Sequence, residues 1–109
     1  MIFEIFELSG TNQKELNVEL RFLLASARAD GRELVKFVTR SPSQSRDEER
    51  LRSCILRVLR ALRNDGVFQF FIFDKELATE VEEAEYLRNK YSELITKEDL
   101  GYISLYVKM

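Results

Sequence analysis

The most informative absence in this chain of 109 residues is histidine, of which there is none. Without imidazole there is no Ser-His-Asp or Cys-His catalytic group, and the commonest ligand of transition metals is missing. Every other titratable side chain needs a large pKa shift to act as an acid or base near neutral pH. The absence favours a protein without enzymatic activity. Walker-type and G-x-G-x-x-G loops are also missing, so we expect no metal and no cofactor.

Cysteine and long apolar runs are scarce as well. The single cysteine, Cys54, excludes an intramolecular disulfide and a cysteine-cluster zinc site, which fits a reducing compartment. The first residues carry acids where a signal peptide has bases, and no apolar run approaches the roughly 20 residues of a membrane span. We therefore expect a soluble cytoplasmic protein that forms a single domain over residues 1–109.

The apolar pattern predicts four strands and three helices in the order β-α-β-α-β-α-β. The expected strands are 1–8, 34–39, 67–73 and 102–108. Helices are expected to start after Asn12, Ser45 and Asp74, because each can accept a hydrogen bond from the first helical turn. Such alternation indicates an α/β fold, a two-layer or three-layer sandwich around a mainly parallel or mixed four-stranded sheet.

Two of these strands differ in their patterning. The stretch 67–73 is almost continuously apolar, which predicts a central strand that is covered on both faces. The last strand alternates strictly, with Tyr102 and Tyr106 on its polar side. That alternation predicts one face that is exposed to water or covered by a partner, and it makes these tyrosines candidate interface residues.

The loops that follow the first two strands are the first candidate binding site. In open α/β sheets, ligands bind at the carboxyl ends of strands, where free amides at helix starts attract anions. One loop offers Ser9 and Gly10, and the other offers Thr39, Arg40 and Arg46. Hydroxyls, a glycine and guanidinium groups suit a phosphate. The alternative is that these loops only cap their helices and are otherwise solvated.

The second candidate is the helix that follows Ser45. Helical geometry places Arg46, Arg50, Arg57 and Arg60 on one arc, opposite a stripe of leucine, isoleucine and valine. Guanidinium groups in a row can follow a phosphate backbone or bind carboxylates of another subunit. A solvated polar face that serves only solubility is the alternative explanation.

Charge is also segregated along the chain. Residues 21–63 hold eleven bases against five acids, and residues 74–99 hold nine acids against four bases. This asymmetry predicts one face that is suited to anions and another that repels them. The alternative is that the two halves pair with each other. The net charge of -2 and a pI near 5.3 weigh against a nucleic-acid partner.

Three segments resemble the small MutS-related (Smr) domain. Phe6-Glu7-Leu8-Ser9-Gly10 is similar to the opening Leu-Asp-Leu-His-Gly motif of that family. Residues 34–39, followed by a polar loop and Leu51-Arg52, are similar to its second strand, glycine-rich loop and Leu-Arg. Residues 101–107 resemble its final glycine-led strand.

Smr domains are small α/β sandwiches that bind nucleic acid, and some of them nick DNA or cleave RNA, so the resemblance implies this fold and this class of ligand. Ser9 stands where the family has histidine and Glu7 where it has aspartate. Residues 39–42 replace the glycine loop. Binding of an anion is therefore expected to survive better than nuclease activity.

Two functional hypotheses follow. The first is a non-catalytic or weakly catalytic Smr-like domain that binds RNA, DNA or another polyanion through its arginine-rich helix. The second is a protein-interaction module, a homodimer that docks through its last strand or the arginine helix. An enzyme that acts on a small phosphorylated substrate is a third and more remote alternative.

Overall fold

The computed structural model describes residues 3–39, 45–95 and 102–109. The strands are β1 (Phe3–Leu8), β2 (Leu34–Thr39), β3 (Phe70–Phe73) and β4 (Ser104–Lys108). The helices are α1 (Gln13–Ala29), α2 (Ser45–Asn64) and α3 (Glu82–Lys90), and a 3₁₀ helix spans Asp74–Ala78. The predicted order of strands and helices is confirmed.

The four strands form one mixed sheet in the order β1-β2-β4-β3. β1 runs parallel to β2, with Phe3 opposite Leu34. β4 is antiparallel to both of its neighbours, so that Tyr106 lies between Lys36 on one side and Ile72 on the other. The fold class is therefore α/β, with a mixed rather than a mainly parallel sheet.

Helices cover both faces of this sheet. The leucine stripes of α1 and α2 pack on one face against side chains of β2 and β4, among them Phe37 and Leu105. On the other face, α3 and the 3₁₀ helix pack against Leu34, Ile72 and Tyr106. The molecule is a three-layer sandwich, with α1 and α2 in one outer layer and α3 in the other.

Glycine ends both long helices in the same way. Gly31 and Gly66 have φ angles of +69° and +77°, in the left-handed region that other residues rarely adopt. After α1, the amide of Gly31 donates to the carbonyl of Arg28, and the amide of Arg32 donates to that of Ala27. This pair of bonds satisfies carbonyls that the helix leaves without partners. The turn then directs the chain into the next strand.

Two predictions about the strands are wrong. β3 is an edge strand and not a central one, although its side chains are covered on both faces as expected. β4 is the interior strand, and all five of its residues are buried. The polar alternation of β4 was misleading because α3 and the 3₁₀ helix cover the face that carries Ser104, Tyr106 and Lys108.

The third predicted helix is interrupted. Its first part is the 3₁₀ helix, which ends where the Thr79 hydroxyl and amide both donate to the carbonyl of Glu76. A threonine side chain that bonds the backbone in this way competes with continuation of the helix. Val81 is exposed and occupies the N-cap position of α3.

None of the helices in the described part of the chain is both long and apolar enough to cross a bilayer.

Candidate anion-binding surface

The outward side of α2 carries a row of arginines. Arg50, Arg57 and Arg60 are exposed, while Ile55 and Leu59 on the opposite side of the helix are fully buried. Within residues 3–39, 45–95 and 102–109, none of the three arginines makes an ion pair. No described carboxylate therefore neutralises their guanidinium groups. We call these three residues the arginine row.

The arginine row is remote from the glutamates of α3. The carboxylates of Glu82, Glu83 and Glu85 belong to α3, which lies on the opposite face of the sheet. Packed layers are about 10 Å apart, so two layers put roughly 20 Å between the axes of α2 and α3. The Debye length at physiological salt is about 8 Å. Screening over that distance leaves the arginine row essentially unaffected by the α3 glutamates.

Two other predicted arginines are not placed with the row. Arg40 lies outside the described residues, and of Arg46 the structure describes only the backbone, in the first turn of α2. The predicted contribution of their side chains to a binding site stays a prediction.

Arg52 points away from the row and ties α2 to the sheet. Its guanidinium carbon lies 4.6 Å from the centre of the Phe73 ring, and its Nη2 donates to Glu48 over 3.2 Å. Lys75 also donates to Glu48, at 2.9 Å. These hydrogen bonds, first that of Lys75 and then that of Arg52, lower the pKa of Glu48. Glu48 thus pairs with Arg52 and Lys75, and not with the arginine row.

The loop after β1 has the predicted anion donors, but the chain supplies its own anion. The amide of Ser9 donates to both carboxylate oxygens of Glu19, at 3.1 and 3.0 Å. The Ser9 hydroxyl and the Gly10 amide donate to the same carboxylate, at 2.9 and 3.0 Å. A methyl group on Gly10 would lie 3.1 Å from the backbone nitrogen of Leu16, so the loop is pressed against α1.

An open depression of about 660 Å³ adjoins this loop. Its floor includes Glu15, which accepts from the amide and the hydroxyl of Thr11. These bonds, the backbone bond first, lower the pKa of Glu15. Asn12 caps the helix as predicted, because its side chain accepts from the amide of Glu15 over 2.9 Å. The depression is therefore bordered by carboxylates, which disfavours a phosphate there.

Thr39 serves the sheet and not a ligand site. It is buried, and its hydroxyl accepts from the amide of Ile103 over 3.1 Å. Its own amide donates to the carbonyl of Ile103 over 2.9 Å. Thr39 thus fixes the end of β2 to the residue before β4, and the prediction that it faces an anion is not supported by this placement.

The two candidate interface tyrosines have different environments. Tyr106 is 0% exposed, and its ring stacks with that of Phe3 at a centroid distance of 6.4 Å. The prediction that Tyr106 docks a partner is therefore wrong, because the layer of α3 already covers it. Tyr102 is 39% exposed and remains accessible.

Sequence reasoning missed a buried polar group beneath α3. Lys36 is 4% exposed, and its Nζ lies 5.3 Å from the centre of the Tyr106 ring. Two residues before Tyr106 on the same face of β4, the hydroxyl of Ser104 donates to Oδ2 of Asp74. The available signal was a single lysine in an apolar strand, opposite polar positions of another strand.

Sequence reasoning also missed a second apolar stripe, which lies on α1. Val18 and Phe22 are 65% and 72% exposed, and they lie on the side of α1 opposite its leucine stripe. The spacing of four residues was visible in the sequence, but the stronger leucine periodicity of the same helix hid it. These residues lie in the same outer layer as the arginine row.

Within the described residues, no group of three or more cysteine, aspartate or glutamate side chains is close enough to hold a metal ion. In comparisons with family models, curated proteins and solved structures, nothing matches this chain, so the resemblance to Smr domains stays a prediction.

Proposed function

We propose that this domain binds nucleic acid, or a similar linear polyanion, through the outward side of α2 and without catalysis. The observation that carries the proposal is the arginine row, Arg50, Arg57 and Arg60, which is exposed and makes no ion pair with the described residues. The absence of histidine, and the serine at position 9 where Smr domains have histidine, favour binding over catalysis.

The length of the arginine row fits a phosphate backbone. Arg50 and Arg60 are ten residues apart, which is about 15 Å along an α-helix. Phosphates of one DNA strand follow each other at about 3.4 Å along the duplex axis. The row therefore spans about four phosphates, and guanidinium groups can bind phosphate oxygens in pairs.

The charge on α2 is positive, although the chain as a whole is slightly acidic. α2 holds six arginines against three acids, although the whole chain has a net charge of -2. A linear polyanion that contacts one layer over 15 Å experiences mainly the charges of that layer, because the α3 glutamates are screened.

A homodimer that docks through the last strand is less well supported. Tyr106 is inside the core and β4 is flanked by β2 and β3, so this strand has no edge to offer a second copy. Of the two predicted interface tyrosines, only Tyr102 is accessible.

The test is binding of fluorescently labelled RNA and DNA oligonucleotides, followed by anisotropy at 50 and 200 mM salt. Three neutralised phosphates predict a loss of affinity of about 40-fold for duplex DNA and about 20-fold for single strands between these concentrations. The double substitution Arg50→Glu and Arg57→Glu should reduce affinity at least tenfold at 50 mM salt.

The matched control is Arg88→Glu with Lys90→Glu, which changes the net charge equally but on the α3 layer. We expect its affinity to stay within about twofold of the original chain, since those residues lie beyond the screening length. Absence of binding at 50 mM salt, or equal losses in both double variants, would contradict the proposal.

A further inference from the structure

The outward stripe of α1 belongs to neither core cluster of the described residues. Its members are exposed, apolar and spaced by four, three and four residues: Val18, Phe22, Ala25 and Ala29. That spacing aligns them on one side of a helix. Burying a phenylalanine ring is worth about 1.5–3 kcal/mol, so a ring that is 72% exposed forgoes much of that stabilisation. The exposed ring therefore points to a partner that covers it.

Basic side chains border this stripe on the side of α2. Lys14, Arg21 and Arg28 are exposed at seven-residue intervals, which places them along one edge of the stripe. Arg21 is 3.7 Å from the carboxylate of Asp65, just beyond the end of α2, so this edge faces that helix. The stripe and its basic edge thus lie in the same outer layer as the arginine row.

We propose that Phe22 is a stacking platform for an unpaired base, and that the polyanion bound by the arginine row is single-stranded nucleic acid. The inference rests on the proposed function and adds the class of ligand to it. Aromatic rings beside a basic groove are the means by which proteins bind single strands without sequence preference. Arg21 and Arg28, on the edge of the stripe away from Glu15 and Glu19, supply the charge complementarity for the phosphates that flank the stacked base.

The surface favours a single strand over a duplex for a geometric reason. In a duplex the flat faces of the bases are stacked on each other, and only phosphates and groove edges are presented outward. A ring on the outer side of a helix can then reach no base face. In a single strand each base can rotate out and offer its π face to Phe22.

The neighbours of Phe22 on the stripe leave room for a base. Val18, Ala25 and Ala29 are small, so no large side chain stands over the ring on that side of the helix. An amphipathic helix that lies in a membrane surface instead inserts several large apolar side chains about 5–10 Å deep. One phenylalanine among small residues fits a stacked base better than a lipid surface.

Tryptophan fluorescence tests the inference directly, because the chain contains no tryptophan. Phe22→Trp places a single emitter at the proposed platform in the full chain. Titration with a 12-residue oligothymidylate at 50 mM salt should quench its emission, whereas a 12-base-pair duplex should quench it much less. The control is Tyr86→Trp, at a position on α3 that is 40% exposed. Its emission should not change.

Affinity measurements with Phe22→Ala complete the test. The ring is exposed, so the variant should fold, and circular dichroism checks this. Loss of one base stack predicts about tenfold weaker binding of oligothymidylate, with duplex binding unchanged within twofold, and Phe22→Tyr should restore the affinity.

The outcomes separate this inference from the function on which it rests. If no oligonucleotide binds to the unmodified chain, the proposed function itself fails. If binding is salt-dependent but insensitive to Phe22→Ala, and Phe22→Trp is not quenched, only the stacking platform is wrong. A blue shift of the Phe22→Trp emission with phosphatidylserine vesicles, without quenching by oligothymidylate, would assign the surface to a membrane and overturn the inference.

Discussion

Removal of the Glu19 carboxylate should both destabilise the domain and open an anion site. The substitution Glu19→Ala leaves the amides of Ser9 and Gly10 and the Ser9 hydroxyl without their acceptor. Hydrogen bonds to a charged group contribute about 1.5–3 kcal/mol each when they are buried. Ser9 is exposed and water can replace the carboxylate, so we expect a total loss of about 1–2 kcal/mol.

The loss can be measured as a shift of the melting temperature. At about 2.1 cal/mol/K per residue, a chain of 109 residues has an unfolding entropy near 230 cal/mol/K. A loss of 1–2 kcal/mol then lowers the melting temperature by about 4–9 °C. Lys14→Ala, in the same helix and without a hydrogen bond to the described residues, should shift it by less than about 2 °C.

Added sulfate should restore part of the stability of Glu19→Ala. The three donors that held the carboxylate can hold a sulfate oxygen pair in the same place, and sulfate at ten times its dissociation constant restores about 1.4 kcal/mol. Sodium chloride at equal ionic strength is the control. An unchanged melting temperature for Glu19→Ala, or equal stabilisation of both proteins by sulfate, would refute this reasoning.

Three further outcomes are expected. Because hydrogen bonds from Lys75 and Arg52 lower the pKa of Glu48, its contribution to stability is complete above the unfolded pKa of about 4.3 and declines as the pH falls through the lower folded value. Urea titrations at pH 7 and pH 3 should therefore show a smaller pH dependence for Glu48→Gln. Gly66→Ala should lose about 1 kcal/mol by urea unfolding because its φ is +77°, and Gly66→Asn should lose less. Tyr106→Ala should lose about 3–5 kcal/mol, and Tyr106→Phe much less, because the whole ring is buried.

The helices of the main layer were predictable because their signals are local. Leu16, Leu20 and Leu24 recur at helical spacing, and the structure buries all three. The glycines at 31 and 66 mark the helix ends through a backbone conformation that a single residue determines. Neither inference needs knowledge of distant parts of the chain.

The lateral order of the strands was not predictable from the same pattern. Burial of both faces of Phe70–Phe73 requires helices above and below the strand, and an edge strand meets that condition as well as a central one. Likewise, the polar residues of β4 indicate an exposed face only if no helix covers it, and α3 covers Tyr106. Strand order depends on pairing between segments that are far apart in sequence.

The candidate site was likewise predictable only where it depends on local helical geometry. The common arc of Arg50, Arg57 and Arg60 follows from helical geometry alone, so the sequence indicated it. The capture of the Ser9 and Gly10 donors by Glu19 depends on how closely the loop approaches α1, which no sequence period encodes.

The interior position of β4 constrains how the chain folds during its synthesis on the ribosome. β4 is the last of the four described strands in sequence, yet it separates β2 from β3, which leaves β3 without a neighbour in this sheet until β4 is in place. Roughly 30 residues lie between Phe73 and Ser104, and their translation at 5–20 residues per second takes about 2–6 s. During that interval the nascent chain carries a Phe-Phe-Ile-Phe segment with both edges open to other chains. A chaperone that shields exposed apolar segments should matter most in those seconds.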